Sequence, residues 1–254
     1  MALREKSYTP NQIIETIKNG HSVRLPKSTI SYWVRGISSP FRAGHLFTPN
    51  PTPEQAYVIE VECCDGFLSV RLDRYQYRVR LKAVDVEFVE AFNQAVAKVL
   101  AVPLIAWVRR PAPERHVEFG SYLLHKFLSQ KLDDHKVFIE HDRKCSAAFV
   151  RGSFDSEGSV DVSGSLTATN CNLGLLHYVQ EILKGFFGIE TTGPRLGKKK
   201  DSIMNRRGRS YFRKADCYSI YLRRACLATF HREIGLTIER KKIRLERKLG
   251  LRWT

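Results

Sequence analysis

Val150-Arg151-Gly152-Ser153-Phe154-Asp155-Ser156-Glu157-Gly158 reads as the end of a helix. A mostly apolar, small-residue run closes on a carboxylate followed by glycine, and a strand-like stretch comes next. The same order occurs once before, in Val58-Ile59-Glu60-Val61-Glu62-Cys63-Cys64-Asp65-Gly66. The two carboxylates, Asp65 and Glu157, are 92 residues apart, and 97 residues follow Glu157. Such spacing describes a duplicated unit, and a repeat governs how everything around it is read.

Around each motif the patterns run in parallel. After Gly66 the period becomes two: Tyr77, Val79 and Leu81 alternate with Gln76, Arg78, Arg80 and Lys82. This predicts a strand with one apolar and one basic face, as in a sheet that covers a core on one side. Asp85–Leu100 is amphipathic at helical spacing. Leu104–Val108 and Arg115–Phe119 form a second predicted hairpin, and Ser121–Leu128 a helix. The second unit repeats the order: a motif helix from about Lys144 to Glu157, a hairpin over Ser159–Asn170 turning at Gly164, and a helix over Leu173–Phe186. Two strands within Gly193–Tyr221 follow, joined by a long basic loop, and then helices over Ala225–Gly235 and Thr237–Leu249. The predicted fold class is α+β, two pseudo-symmetric αββαββα units with antiparallel sheets.

Residues 1–48 read as a separate module. Thr9-Pro10 caps one short helix, and Leu25-Pro26-Lys27-Ser28 opens a second, polar one. The pair is either a helix-turn-helix, with Lys27, Ser28 and Thr29 toward a major groove, or a plain helical hairpin. The proline-rich stretch 49–53 is the predicted linker, 54–143 the first unit and 144–254 the second.

The paired motifs, most specifically Phe149–Val160 (FVRGSFDSEGSV), resemble those of the LAGLIDADG homing endonucleases, intron- and intein-encoded DNA-cutting enzymes. The resemblance covers about residues 53–250. It implies two motif helices packed at the centre, sheets forming a DNA-binding saddle, and a pseudo-two-fold monomer. It also implies one carboxylate per helix at a divalent-metal site: Asp65 and Glu157, with the backbone carbonyls of Cys64 and Ser156. Mg²⁺ suits such hard oxygen donors. Alone, an Asp-Gly after a helix is an ordinary turn. Residues that order the attacking water are implied near the helix closing each unit, at Lys144 and Lys241 (Lys242 competes), and after the first hairpin strand pair, at Asn170 and Ala83. Ala83 cannot orient a water. The family's small residue at the helix contact is matched by Gly152 but not by Glu60, where a buried charge would be costly. Asp155, two residues from Glu157, faces elsewhere on the helix and reads as structural.

The net charge is +16 over 254 residues. Residues 195–254 hold 19 Lys/Arg and 5 Asp/Glu, a net +14. A field this uneven attracts polyanions, and nucleic acid is the expected partner; the resemblance implies double-stranded DNA. The expected contacts are Arg71, Gln76, Arg78, Arg80 and Lys82 in unit one. In unit two they are Ser165, Thr167 and Thr169 on the first hairpin and Lys198, Lys199, Lys200, Arg206, Arg207 and Arg209 in the basic loop. The expected function is Mg²⁺-dependent cleavage of both strands of a long duplex site. The alternative is a catalytically silent DNA-binding regulator or a maturase acting on intron RNA. No apolar run reaches 18 residues, so no membrane helix is expected. Six cysteines without C-x-x-C spacing read as free thiols in an intracellular, reducing compartment. Gly-rich phosphate loops, H-E-x-x-H and G-x-S-x-G are absent.

Overall fold

A computed structural model describes residues 8–21, 25–35, 47–72, 76–104, 114–206 and 209–251. The chain divides into two compact units, residues 1–46 and 47–254. In the first, α1 (Pro10–His21) and α2 (Lys27–Val34) pack on each other, with Ile13 and Ile30 buried. Thr9 caps α1 reciprocally: its N–H donates to Gln12 Oε1 at 2.8 Å, and its hydroxyl accepts from the Gln12 N–H at 3.4 Å.

The second unit begins at Phe47, which packs on Phe127 with ring centroids 5.2 Å apart. Thr52 caps α3 (Pro53–Cys64) by accepting the Gln55 N–H. Residues 55 to 61 of α3 are all buried, as are 145–150 and 152–155 of α7 (Arg143–Ser156). Helices buried on nearly every side belong inside a core, and these two pack against each other as its centre. Each is followed by a sheet. From α3 the chain runs through β1 (Gly66–Arg71), β2 (Gln76–Ala83), α4 (Val86–Val99), β3 (Arg115–Gly120), α5 (Tyr122–Leu128) and α6 (Leu132–Ile139). Strands β1, β2 and β3 form one antiparallel sheet in that order. After α7 come β4 (Gly158–Val160), β5 (Leu166–Asn170), α8 (Leu173–Phe187), β6 (Thr191–Lys198), β7 (Ile203–Arg206), β8 (Arg209–Phe212), β9 (Cys217–Leu222), α9 (Leu227–Glu233) and α10 (Glu239–Lys248). The second sheet has the order β4-β5-β9-β6.

Three sequence expectations change. The basic loop between β6 and β9 carries a two-stranded ribbon of its own, β7–β8. Helix α6 was not legible, because Leu132 and Ile139 give its eight residues too short an apolar stripe. Cys171 and Cys217 are bonded to each other rather than free. The ladder pairs Asn170 with Tyr218, so the next residues face one another with Cα atoms 4.0 Å apart, a proximity that 46 residues of sequence conceal. Cys63, Cys64, Cys145 and Cys226 are free thiols. The expected strand at Leu104–Val108 falls largely outside the described residues. No described helix is long and apolar enough to cross a membrane.

Candidate active site and nucleic-acid surface

Asp65 and Glu157 occupy the same place in the repeat. Each is the residue at which its central helix stops, with its own N–H donating back to Val61 O or Ser153 O. Glycine must follow in both copies because the chain turns straight into a strand. A Cβ at Gly66 would stand 2.6 Å from Glu62 Cα, and one at Gly158 would collide with the Phe154 backbone.

Because α3 and α7 lie side by side, the two acids fall within each other's field. Burial first, and then the Asp65 charge, raise the Glu157 carboxyl to about 7 against the pull of Lys241 and Lys198. Partial desolvation also raises Asp65, whose side chain stays exposed, against the pull of Lys241. Two carboxyl groups this close, one raised by the charge of the other, form a donor set suited to a divalent cation. The neighbouring Cys64 thiol is not a ligand of this kind, since burial holds it well above the ordinary range. Among the described residues no group of three or more His, Cys, Asp or Glu side chains gathers to hold a metal. The candidate site is therefore the pair of acids together with backbone carbonyls and water, a set that fits hard cations such as Mg²⁺.

Lys241 comes from α10 and is 3% exposed. Its Nζ donates to Phe154 O at 2.9 Å and Asp155 O at 2.6 Å, on carbonyls of the last turn of α7. A cation there is favoured by the helix dipole, yet burial lowers its pKa to about 8. Lys144 does not share this place. It is exposed in the first turn of α7, roughly 20 Å along the helix from Glu157 at 1.5 Å per residue. The expectation that Lys144 orders water is thus corrected: it stands at the wrong end of the helix that carries the acid. Lys242 is half-buried and lies 4.0 Å from both Glu239 and Glu246 on its own helix.

Asn170 ends β5, and its Nδ2 reaches the Cys64 sulfur at 3.7 Å. It crosses to the other repeat one residue from Asp65. Ala83 ends β2 and, with no polar side chain, offers nothing comparable. Asp155 is buried and accepts the Tyr57 hydroxyl at 3.0 Å and the Thr237 N–H at 2.9 Å. It ties α7 both to α3 and to the approach to α10, which sets where Lys241 arrives.

Glu60 is fully buried and its Oε1 accepts from the Cys64 thiol at 3.5 Å. Burial raises its pKa to about 8, so at neutral pH it packs as a neutral acid. Among the described residues no cation meets it; protonation lets a glutamate occupy the helix contact.

The outer faces of the sheets are read from the registers. In the first sheet, Val79 and Leu81 are fully buried. Gln76, Arg78, Arg80 and Lys82 therefore point outward, and the first three pair with Arg71, Ser69 and Phe67 of β1. The sequence reading missed what β3 adds to this face. Glu118 lies opposite Arg80 and His116 opposite Lys82. Glu118 pairs with both Arg78 and Arg80, and Glu114 with Lys82 at 2.6 Å. Their period-two placement against Val117 and Phe119 was the available signal.

In the second sheet, Ser165, Thr167 and Thr169 alternate with buried Leu166 and Ala168. Thr169 Oγ1 lies 2.7 Å from Ser219 Oγ and Thr167 Oγ1 3.4 Å from Ser159 O. Arg195 and Tyr221, also missed, join this face through their pairings with Ser219 and Thr167. Lys198, Lys199 and Lys200 are exposed. Arg206 and Arg209 close the β7–β8 ladder, but their side chains, and all of Arg207, lie outside the described residues. In the first unit Lys27 and Ser28 are exposed and Thr29 half-buried at the start of α2.

A family model described as a LAGLIDADG-like domain matches residues 144–235. The chain is 31% identical over 251 residues to an uncharacterized protein of Methanocaldococcus jannaschii, MJ0398, an alignment spanning 98% of this chain and 90% of that one. Among solved structures, the homing endonuclease I-DmoI in complex with DNA and Mn superposes with a TM-score of 0.54 at 18% identity, over 73% of this chain and 98% of that one. Mesophilic variants of I-DmoI give 0.54 at 17% identity, over 72% and 95%. At these identities the likeness is one of fold.

Proposed function

The chain belongs to the LAGLIDADG family, and from this premise we propose that it is a site-specific DNA endonuclease that hydrolyses both strands of a long duplex target. The single observation behind this reading is that Asp65 and Glu157 end the paired central helices, near enough for the Asp65 charge to raise the Glu157 carboxyl, with Lys241 held at the end of the second helix. A bound divalent cation would supply charge neutralisation at the scissile phosphate and an activated water. Asp65 and Glu157 would hold it, with the carbonyls of Cys64 and Ser156. Lys241 keeps positive charge beside the acids, and Asn170 presents an amide able to orient a water. The two sheets would lie in successive major grooves, and the helical module carrying Lys27, Ser28 and Thr29 would extend the contact. One chain, with its internal repeat, suffices for both strands.

A second reading is favoured by Ala83, which leaves the first half without the polar group that Asn170 gives the second. A chain so changed would bind nucleic acid without cutting it, as a DNA-binding regulator or an intron-RNA maturase. The test is incubation with duplex DNA of the chain's own locus lacking any intervening element, in Mg²⁺ and in EDTA. Native gels score double-strand breaks and denaturing gels score nicks. Mg²⁺-dependent cutting supports the endonuclease. Tight binding without cutting in Mg²⁺, Mn²⁺ or Ca²⁺ selects the silent regulator, and preferential binding of intron RNA selects the maturase.

A further inference from the structure

Glu118 lies on the outer face of β3, an edge strand of the first sheet, beside Arg78 and Arg80 of the central strand β2. One of its oxygens meets Arg78 Nη1, and the other lies 2.6 Å from Arg80 Nε. On its far side Arg78 is held by Gln76, whose Oε1 accepts from Nη2 at 2.5 Å. Gly120, opposite Arg78 in the β2–β3 ladder, puts no side chain over it. The result is one network, Gln76–Arg78–Glu118–Arg80, whose charged members are 25 to 32% exposed. Thus a chain of net charge +16 places a carboxylate between two of the arginines best placed to read DNA.

We infer that Glu118 is a positioning residue that determines sequence specificity: it fixes the guanidinium forks of Arg78 and Arg80 toward base edges and keeps this face from gripping phosphates indiscriminately. This rests on the reading that the sheet meets duplex DNA. Backbone binding scales with the cations offered and carries no sequence information. A carboxylate amid those cations cancels part of that attraction and repels phosphate. Guanine, in contrast, is read by an arginine fork aimed at O6 and N7. Each fork has five N–H donors, and Glu118 engages only part of each. The ordering cost of the long side chains is then met before DNA arrives. Discrimination comes as much from weakening wrong complexes as from strengthening the right one. A half-exposed ion pair contributes little to folding, so a purely structural role predicts almost no change in binding when it is lost.

The test uses the full chain, wild type, Glu118→Gln and Glu118→Ala, in EDTA so that no cleavage intervenes. Each is put through selection from a random-sequence duplex library, and its affinity for one arbitrary duplex is measured across a salt series. The wild type is expected to enrich a motif containing guanine. Both variants should bind the arbitrary duplex about three- to tenfold more tightly at low salt, with a steeper salt dependence. Their enriched motifs should lose information at one or two guanine positions. Motifs of unchanged depth, or unchanged affinity for the arbitrary duplex, overturn the inference while leaving the DNA reading intact. A wild type that retains no duplex overturns both.

Discussion

Glu60 and Gly152 meet across the contact of the two central helices: a Cβ placed on Gly152 would stand 3.2 Å from Glu60 Cβ and 3.3 Å from Tyr57 O. The missing side chain on one helix makes room for the stem of a glutamate on the other. The acid group goes into the core with it and gives up its charge.

That exchange sets a pH dependence. The folded carboxyl has a pKa of about 8 against an ordinary 4.5. Between these values the folded state holds a proton that the unfolded state has released, so stability falls as pH rises from about 4.5 to about 8. Glu60→Gln should match wild type at pH 4 and melt higher at pH 9, by an amount worth on the order of a few kcal/mol. Glu62, also raised to about 8 by burial, keeps part of the slope in the variant. A variant that melts lower than wild type at pH 9 would show that the ionised form has a partner.

Asp65→Asn and Glu157→Gln should each abolish double-strand cleavage and leave DNA affinity within about tenfold, because amides keep the shape of the donor but bind Mg²⁺ poorly. Gel shift and cleavage assays on one target separate the two effects. Wild-type cutting by either variant removes that residue from the metal site.

Proton and metal should compete at Glu157. Its carboxyl titrates near 7 without a cation, so the Mg²⁺ concentration for half-maximal cleavage should rise as pH drops from 8 to 6. In the Glu157→Gln variant, calorimetric Mg²⁺ binding should lose this pH dependence. A metal requirement flat across the range in the wild type would mean the acid does not bind the ion.

The two lysines of the sequence reading should now behave differently. Lys241→Met removes the donor from Phe154 O and Asp155 O, and should lower kcat about a hundredfold together with the melting temperature. Lys144→Ala alters an exposed position at the far end of α7 and should leave both near wild type. Equal losses from both would mean the helix ends are not what separates them.

Deleting residues 1–46 should weaken DNA binding while the remaining chain still melts cooperatively and cuts in Mg²⁺, since residues 47–254 form a compact unit of their own. Phe47, packed on Phe127, is kept, so loss of the cooperative melt would show that this unit does not fold without the helical module.

The repeat, the two acids and the period-two basic strand were legible in the sequence because each is a local pattern: a helix that ends in acid-Gly, and a side-chain alternation that only one face of a sheet can satisfy. Asp155 was likewise readable as structural, from its phase on the helix alone. What the sequence could not supply were relationships across distance. Lys144 and Lys241 sit near similar acidic and basic neighbours in the chain, and only the packing of α10 against the end of α7 tells them apart. Glu118 faces Arg78 and Arg80 because β3 pairs with β2 across a long connection, and Cys171 meets Cys217 through a strand order no local pattern encodes. The charge of Glu60 was undecidable from its name, since a glutamate's ordinary pKa holds only in water. Local periodicity determined which residues lie on which face; the long-range pairing of faces, and the burial it brings, decided their partners and their protons.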